Sequence, residues 1–141
     1  MAFTDFTCSY CQKGAVSVET IMNRYPGQIR FILKQVPATE TARLASKWFL
    51  AALGQDATKA WTYYALLFDR QHDLVSDPVQ VLRQLATEAG FDPKVLEAQV
   101  RAKGKDMDNI LNVDTEDANR LEFKGTPYYL VNNLVIRGAL P

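Results

Sequence analysis

The sequence predicts an α/β fold in a single domain, residues 1–141, and three observations carry that reading. Runs rich in aromatic and β-branched residues stand near both ends, at residues 2–7 and 29–36 and again at 128–137. Between them, residues 39–123 show only the helical spacing of apolar side chains. The only two cysteines, Cys8 and Cys11, fall where the first run gives way to a helix. Strand, helix and second strand in this order make a βαβ unit, whose strands run parallel.

Each element has its own signal. Residues 2–7 are the first strand. Val16, Val18, Ile21 and Met22 give helical spacing from residue 9 to about residue 24, and Tyr25-Pro26-Gly27 stops it. Residues 29–36 are almost continuously apolar over strand length, the pattern of a buried parallel strand. Residues 42–53 then place Leu44, Trp48, Ala51 and Ala52 on one helical face and end at Gly54. Asp56 caps a second helix of this block, with Trp61, Tyr64, Ala65 and Phe68 as its stripe. Asp77-Pro78 reads as N-cap and first helical residue, followed by Val79, Leu82, Leu85, Ala86 and Ala89 and closed by Gly90. Asp92-Pro93 repeats the device, with Phe91 placed to staple onto Leu96. A last helix over about residues 106–123 uses Met107, Ile110, Leu111, Ala118 and Leu121. Gly125-Thr126-Pro127 breaks the chain, and residues 128–131 and 134–137 form a hairpin around Asn132-Asn133, residues that tolerate positive φ. No proline- or serine-rich linker separates residues 39–123 from the rest, so they read as a helical insertion within one domain.

Composition excludes several classes. Lys plus Arg and Asp plus Glu both number 16, so the formal net charge is zero, whereas a nucleic-acid binder needs a basic surplus. No apolar run approaches the roughly 20 residues of a membrane span. No stretch has the layout of a signal peptide. Two cysteines cannot build a disulfide scaffold, but they can form one reversible bond.

Cys8-Ser9-Tyr10-Cys11, at a strand end and opening a helix, has the layout of a dithiol redox centre. A helix N-terminus offers unpaired N–H groups and a positive dipole end, so it stabilises a thiolate on Cys8. The thiolate is the form that attacks a disulfide. Cys11, in the first turn, is expected to be more buried and to act as the resolving sulfur. Of the other candidates, Trp48, Trp61, Tyr128 and Tyr129 either line a peptide groove or fill the core, and core is the commoner fate of aromatics at such spacing. His72 is expected on the surface. Asp106, Asp108, Asp114, Glu116 and Asp117 are expected to form a solvated helix face.

The two ends of the chain together resemble the DsbA-like branch of the thioredoxin superfamily. The residues that carry the likeness are Phe3-Thr4-Asp5-Phe6-Thr7-Cys8 and the Cys-x-x-Cys motif, then Gly125-Thr126-Pro127-Tyr128-Tyr129-Leu130-Val131-Asn132-Asn133 and Ile136-Arg137-Gly138-Ala139. The resemblance implies a thioredoxin-like fold with a helical insertion between the βαβ unit and the C-terminal hairpin. It implies a protein disulfide oxidoreductase or isomerase of the bacterial periplasm or cell envelope, acting on protein or peptide thiols and disulfides and recycled by a redox partner. No cofactor is implied beyond the redox-active disulfide. Pro127 is then a cis proline facing the dithiol, and Thr126 leaves its carbonyl and N–H free to pair with an extended substrate. Ser9 and Tyr10 tune the couple. Neither supplies the positive charge of the Cys-Pro-His-Cys motif in the strongest oxidants of the family, so a milder oxidant or an isomerase is expected.

Two departures accompany the likeness. Many relatives carry a buried acid six positions before the first cysteine, where this chain has Ala2, and Asp5 is expected to be solvated rather than to replace it. The sequence is also expected to be a segment trimmed at both ends, since relatives add a strand before residue 1 and a helix after residue 141. An uncovered sheet edge would invite strand exchange or a homodimer.

Rival readings stay open at this level. The cysteine pair could hold Cu(I) as a carrier. Structural zinc needs four ligands, and two cysteines with one distant histidine do not supply them in one chain. The helical block could bind a partner with the dithiol incidental. A glutathione-dependent enzyme of the same fold is disfavoured by the intact pair.

Overall fold

The computed structural model describes residues 1–139. The elements run β1 (Ala2–Thr4), α1 (Ser9–Arg24), β2 (Leu33–Gln35), α2 (Glu40–Gln55), α3 (Ala57–Asp69), one 3₁₀ segment (Gln71–Val75), α4 (Pro78–Glu88), α5 (Pro93–Arg120), β3 (Tyr128–Val131) and β4 (Leu134–Arg137). The sheet has the order β2-β1-β3-β4. β1 and β2 are parallel, and β1–β3 and β3–β4 are antiparallel.

The strands are shorter than expected. β1 stops at Thr4 because the chain turns at once, with the Cys8 N–H donating to the Asp5 carbonyl at 3.1 Å. β2 covers only Leu33–Gln35 of the apolar run 29–36, because its neighbour β1 begins with the register pair Ala2↔Leu33. Apolar character did not bury the run as expected, Ile29 and Arg30 lying exposed, because pairing decides strand length. At the hairpin Val131 faces Leu134, and Asn132 takes the positive φ of 55° that closes the turn.

Strand alternation divides the sheet into two faces. Phe3 pairs with Tyr128, and both meet Phe123 beyond the end of α5: Phe3 lies edge-on at 5.1 Å and Tyr128 stacks at 4.3 Å. Ala2 pairs with Tyr129 on the opposite face, where α1 packs.

The helices start where short polar side chains cap them. Thr39 accepts from the Ala42 N–H, Asp56 from Lys59, Asp77 from Gln80 and Asp92 from Lys94, each cap satisfying one of the orphan donors of a first turn. α2 runs past Gly54 to Gln55 and ends only where Asp56 turns extended to cap α3. The buried stripe of α3 is Ala60, Tyr63, Tyr64, Leu67 and Phe68, so Trp61 and Ala65 face outward and correct the predicted stripe. Residues 93–120 are two helical segments that meet at a kink at Lys103 (φ −114°, ψ 18°), immediately before Gly104 and close to the predicted break before residue 106, and they carry the single label α5. Its buried side is Leu96, Met107, Leu111, Asp114 and Ala118, while Ile110 and Leu121 lie exposed.

The acidic residues of α5 are not all a wetted face. Asp108 accepts from Arg43 at 2.7 Å and Lys47 at 2.9 Å, bracing α5 against α2. Asp117 takes Lys34 at 2.9 Å, and Asp114 lies 3.2 Å from the same ammonium. The buried Asp114 also accepts the Gln35 N–H at 2.9 Å, which ties β2 to the helical block. These carboxylates were close enough to the strand and to α2 to find cations, and that overturns their expected solvation.

Candidate active site

The motif is delivered by a buried carboxylate. Asp5, expected to be solvated, is only 3% exposed. Its Oδ1 accepts from the Thr7 N–H and Thr7 hydroxyl, both at 2.7 Å, and its Oδ2 accepts from the Ala38 N–H at 2.8 Å. Three donors make burial of the charge tolerable, and they lock the turn that aims Cys8 at the start of α1. The helical block grips the same turn. Gln71 Nε2 donates to the Phe6 carbonyl at 2.8 Å and the Cys8 carbonyl at 3.2 Å, and Gln12 Nε2 donates to the Phe68 carbonyl at 2.7 Å.

Cys8 is the N-cap of α1, in extended conformation (φ −84°, ψ 121°). Its sulfur accepts the Cys11 N–H at 3.3 Å, as a capping oxygen would. Its thiol in turn donates to the Thr126 carbonyl at 3.5 Å. Both cysteines are free thiols, with Cys8 half-buried and Cys11 fully buried. Burial pushes the Cys11 thiol up to about 12; the Cys8 side chain adds to this, and the Thr126 side chain and Asp5 backbone partly oppose it. One sulfur is thus accessible at the positive end of a helix, and its neighbour is sealed beneath it.

Thr126 and Pro127 supply the facing wall. The peptide between them is cis, Pro127 is fully buried, and its carbonyl accepts the Gly138 N–H at 2.9 Å, fixing the bend to the hairpin. The Thr126 carbonyl, expected from the sequence to be free, accepts the Cys8 thiol. Ser9 and Tyr10 stand exposed in the first turn, Tyr10 at 60%. Lys13 Nζ lies 5.2 Å from the centre of the Tyr10 ring. It brings to the rim a positive charge that the two central motif residues lack.

The four aromatic candidates separate. Trp48 is core. Tyr128 stacks on Phe123, and Tyr129 turns inward beneath α1. Only Trp61 lines a groove, of about 960 Å³, between α1 and α3, with Val16, Met22 and Phe31 among its walls and Gln12 at its edge. His72 is exposed, next to Gln71 in the chain. Sequence reasoning missed Asp5, Gln71 and Gln12 as supports of the motif. Their polar, non-periodic positions carried no local signal.

A cysteine pair opening the helix of a βαβ unit, opposite a cis proline that precedes a β-hairpin, defines a thioredoxin-like fold, and the helical block within it gives the DsbA-like arrangement. The chain belongs to the thioredoxin family: the family model of that description matches residues 1–140. No curated protein matches the sequence. Among solved structures, the thiol-disulfide exchange protein alpha-DsbA2 from Wolbachia pipientis superposes with a TM-score of 0.87 at 18% identity, covering 99% of this chain and 73% of that one. A periplasmic thioredoxin-like protein from Salmonella enterica serovar Typhimurium gives 0.78 at 23% identity over 99% and 75% of the two chains. A thioredoxin-like oxidoreductase from Silicibacter pomeroyi gives 0.81 at 23% identity over 99% and 76%. At these identities the likeness speaks to the fold. Among the described residues, no helix is long and apolar enough to cross a membrane.

Proposed function

We propose that this chain catalyses thiol-disulfide exchange in protein or peptide substrates, with Cys8 as the attacking or attacked sulfur and Cys11 as the resolving one. The observation that carries the reading is the position of Cys8: half-exposed at the N-cap of α1, with its sulfur accepting the Cys11 N–H and facing the Thr126 carbonyl. A thiolate there is stabilised by the helix terminus and by a donated N–H. In the reducing direction, the Cys8 thiolate attacks a substrate disulfide, and one substrate sulfur leaves and takes up a proton. Cys11 then loses its proton and attacks the Cys8 sulfur. The second substrate sulfur leaves, and the Cys8–Cys11 disulfide remains. The oxidising direction is the reverse. Thr126 and Pro127 hold the substrate backbone against Cys8, and the groove beside Gln12 and Trp61 takes an apolar flank.

Ser9 and Tyr10 bring no charge of their own, which favours a mild oxidant or an isomerase over a powerful oxidant. The disulfide itself is the only redox group required, and a separate thiol or disulfide partner must recycle it. The description of the Salmonella neighbour as periplasmic supports an envelope location. The exposed Leu134 and Val135 on the outer strand β4 support pairing with a second copy, the architecture an isomerase cleft would use.

The test follows oxidation of a reduced unfolded protein, and rescue of one with scrambled disulfides, in a glutathione buffer. Wild-type protein should accelerate exchange and Cys8→Ser should fall to the uncatalysed rate. Equal rates for the two proteins overturn the proposal. Rescue that outpaces net oxidation assigns isomerase activity, and the opposite balance assigns an oxidant. Stoichiometric Cu(I) uptake without exchange assigns the pair to a carrier instead.

A further inference from the structure

Among the described residues the buried Tyr129 hydroxyl has no hydrogen-bond partner, an arrangement a folded protein retains only for a reason. Its surroundings supply one. Tyr129 pairs with Ala2 across β1 and β3, so its side chain leaves the sheet on the face that α1 covers. There its hydroxyl lies against the helix backbone at Gly14; a Cβ at that residue would stand 1.9 Å from the Tyr129 oxygen. Gly14 is one turn beyond Cys11, and these two are the buried residues of α1. Alternation also puts Thr4 and Gln35 on this face, and the phenol is the polar group that meets α1 at Gly14, one turn from the resolving cysteine.

We propose that Tyr129 is a positioning residue for the resolving step, its O–H dipole stabilising the negative charge that develops on the Cys11 sulfur. This inference rests on the exchange reading above and deepens it. Whichever way exchange runs, Cys11 carries a partial negative charge in the transition state, as attacking sulfur in the reducing direction and as leaving sulfur in the oxidising one. The phenol keeps its proton throughout. The Cys11 proton goes to solvent, the Cys8–substrate S–S bond breaks as Cys8–Cys11 forms, and the departing substrate sulfur is reprotonated. Burial, and then the nearby charges of Cys11 and Cys8, push the Tyr129 hydroxyl up to about 12, so it remains a donor across the working range. The other titratable groups near this pair are Cys8, the buried Asp5 just after β1, whose backbone bears on Cys11, and, from α3, Tyr64, which burial and then Tyr129 and Cys11 push upward. Both Asp5 carboxylate oxygens are taken by donors of Thr7 and Ala38, so Asp5 is not placed as a competing base.

The test separates capture from resolution. Glutathione disulfide is added to reduced protein, and formation of the Cys8–glutathione adduct and release of glutathione from it are followed between about pH 7 and about pH 9. In Tyr129→Phe, adduct formation should match wild type. Release should slow about tenfold, its profile displaced by about one pH unit to the alkaline side. Tyr64→Phe should leave that profile in place. Superimposed release profiles for wild type and Tyr129→Phe overturn the inference while leaving the exchange reading intact, and a raised melting temperature in the same variant would then mark the hydroxyl as a packing feature only. Failure of wild-type protein to form any adduct overturns both.

Discussion

Helices α1 and α2 have the same length, 16 residues, yet α2 buries seven of them and α1 only Cys11 and Gly14. α2 belongs to the helical block, where Trp48, Phe49, Tyr63, Leu67, Leu82, Leu85 and Leu96 meet in one cluster. α1 belongs to the strand frame, whose strands span three or four residues and whose edge strand exposes Leu134 and Val135. The difference shows how the molecule divides its work. The block supplies apolar burial, and the frame sets one half-exposed sulfur, Cys8, over the buried Cys11 and Pro127. Gln71, Gln12 and Lys34 join the two, so a site with little core of its own is held by a region that has no part in the chemistry.

The comparison is broken most directly by cutting into each side. Trp48→Ala should cost about 3–5 kcal/mol, the usual result of emptying a fully buried aromatic site. Val135→Ala on the exposed outer strand should stay within about 0.5 kcal/mol. Urea unfolding measures both. Thiol exchange per folded molecule should be unchanged in each, because neither residue touches the dithiol. Comparable losses for the two variants would mean that the sheet, not the block, holds the stability.

A smaller effect is expected where frame and site meet. Gly14→Ala must displace the Tyr129 hydroxyl, at a cost of about 1–3 kcal/mol for overpacking, offset by about 1 kcal/mol of helix propensity. In a Tyr129→Phe background the nearest remaining ring atom is 3.1 Å from the added Cβ, tight but able to give, so the substitution should be close to neutral. The double-mutant cycle should therefore show coupling of about 1 kcal/mol. An equal cost in both backgrounds would place the hydroxyl elsewhere and weaken the case for its action on Cys11.

Much of this was legible in the chain before any coordinates. Asp77-Pro78 and Asp92-Pro93 announce helix starts because capping and proline geometry are local chemistry. Cys8 and Cys11 declare a helix-start dithiol for the same reason. What stayed hidden depends on partners distant in the sequence. Residues 29–32 have strand composition but precede the register pair that would enlist them. Asp5 reads as a surface acid until Ala38 folds over it. Tyr129 reads as one more strand aromatic, because nothing in the sequence sets its hydroxyl against a glycine of α1. Lys34 and the α5 acids are ordinary charges apart and a brace only once β2 lies against α5.

That brace gives the smallest and most diagnostic effect. Lys34 holds Asp117 below its ordinary value of 3.8, and Lys47, then Arg43, do the same for Asp108. A depressed carboxylate contributes stability at pH above its unfolded value and loses it as pH falls through the folded one, so both contributions fade below about pH 4. Lys34 is raised above 10.5, first by Asp117, so its share persists at neutral pH and fades only on the alkaline side. The groups are near the surface, and each contribution should be modest. Lys34→Met should remove the Asp117 part of the acid limb but spare the Asp108 part, which has its own cations. It also leaves the buried Asp114 without its cation, which lowers stability. Between about pH 5 and about pH 2.5, the urea midpoint of Lys34→Met should fall less than that of wild type. Parallel curves would mean that β2 is held to α5 by packing and the Gln35–Asp114 hydrogen bond, with the ion pairs idle.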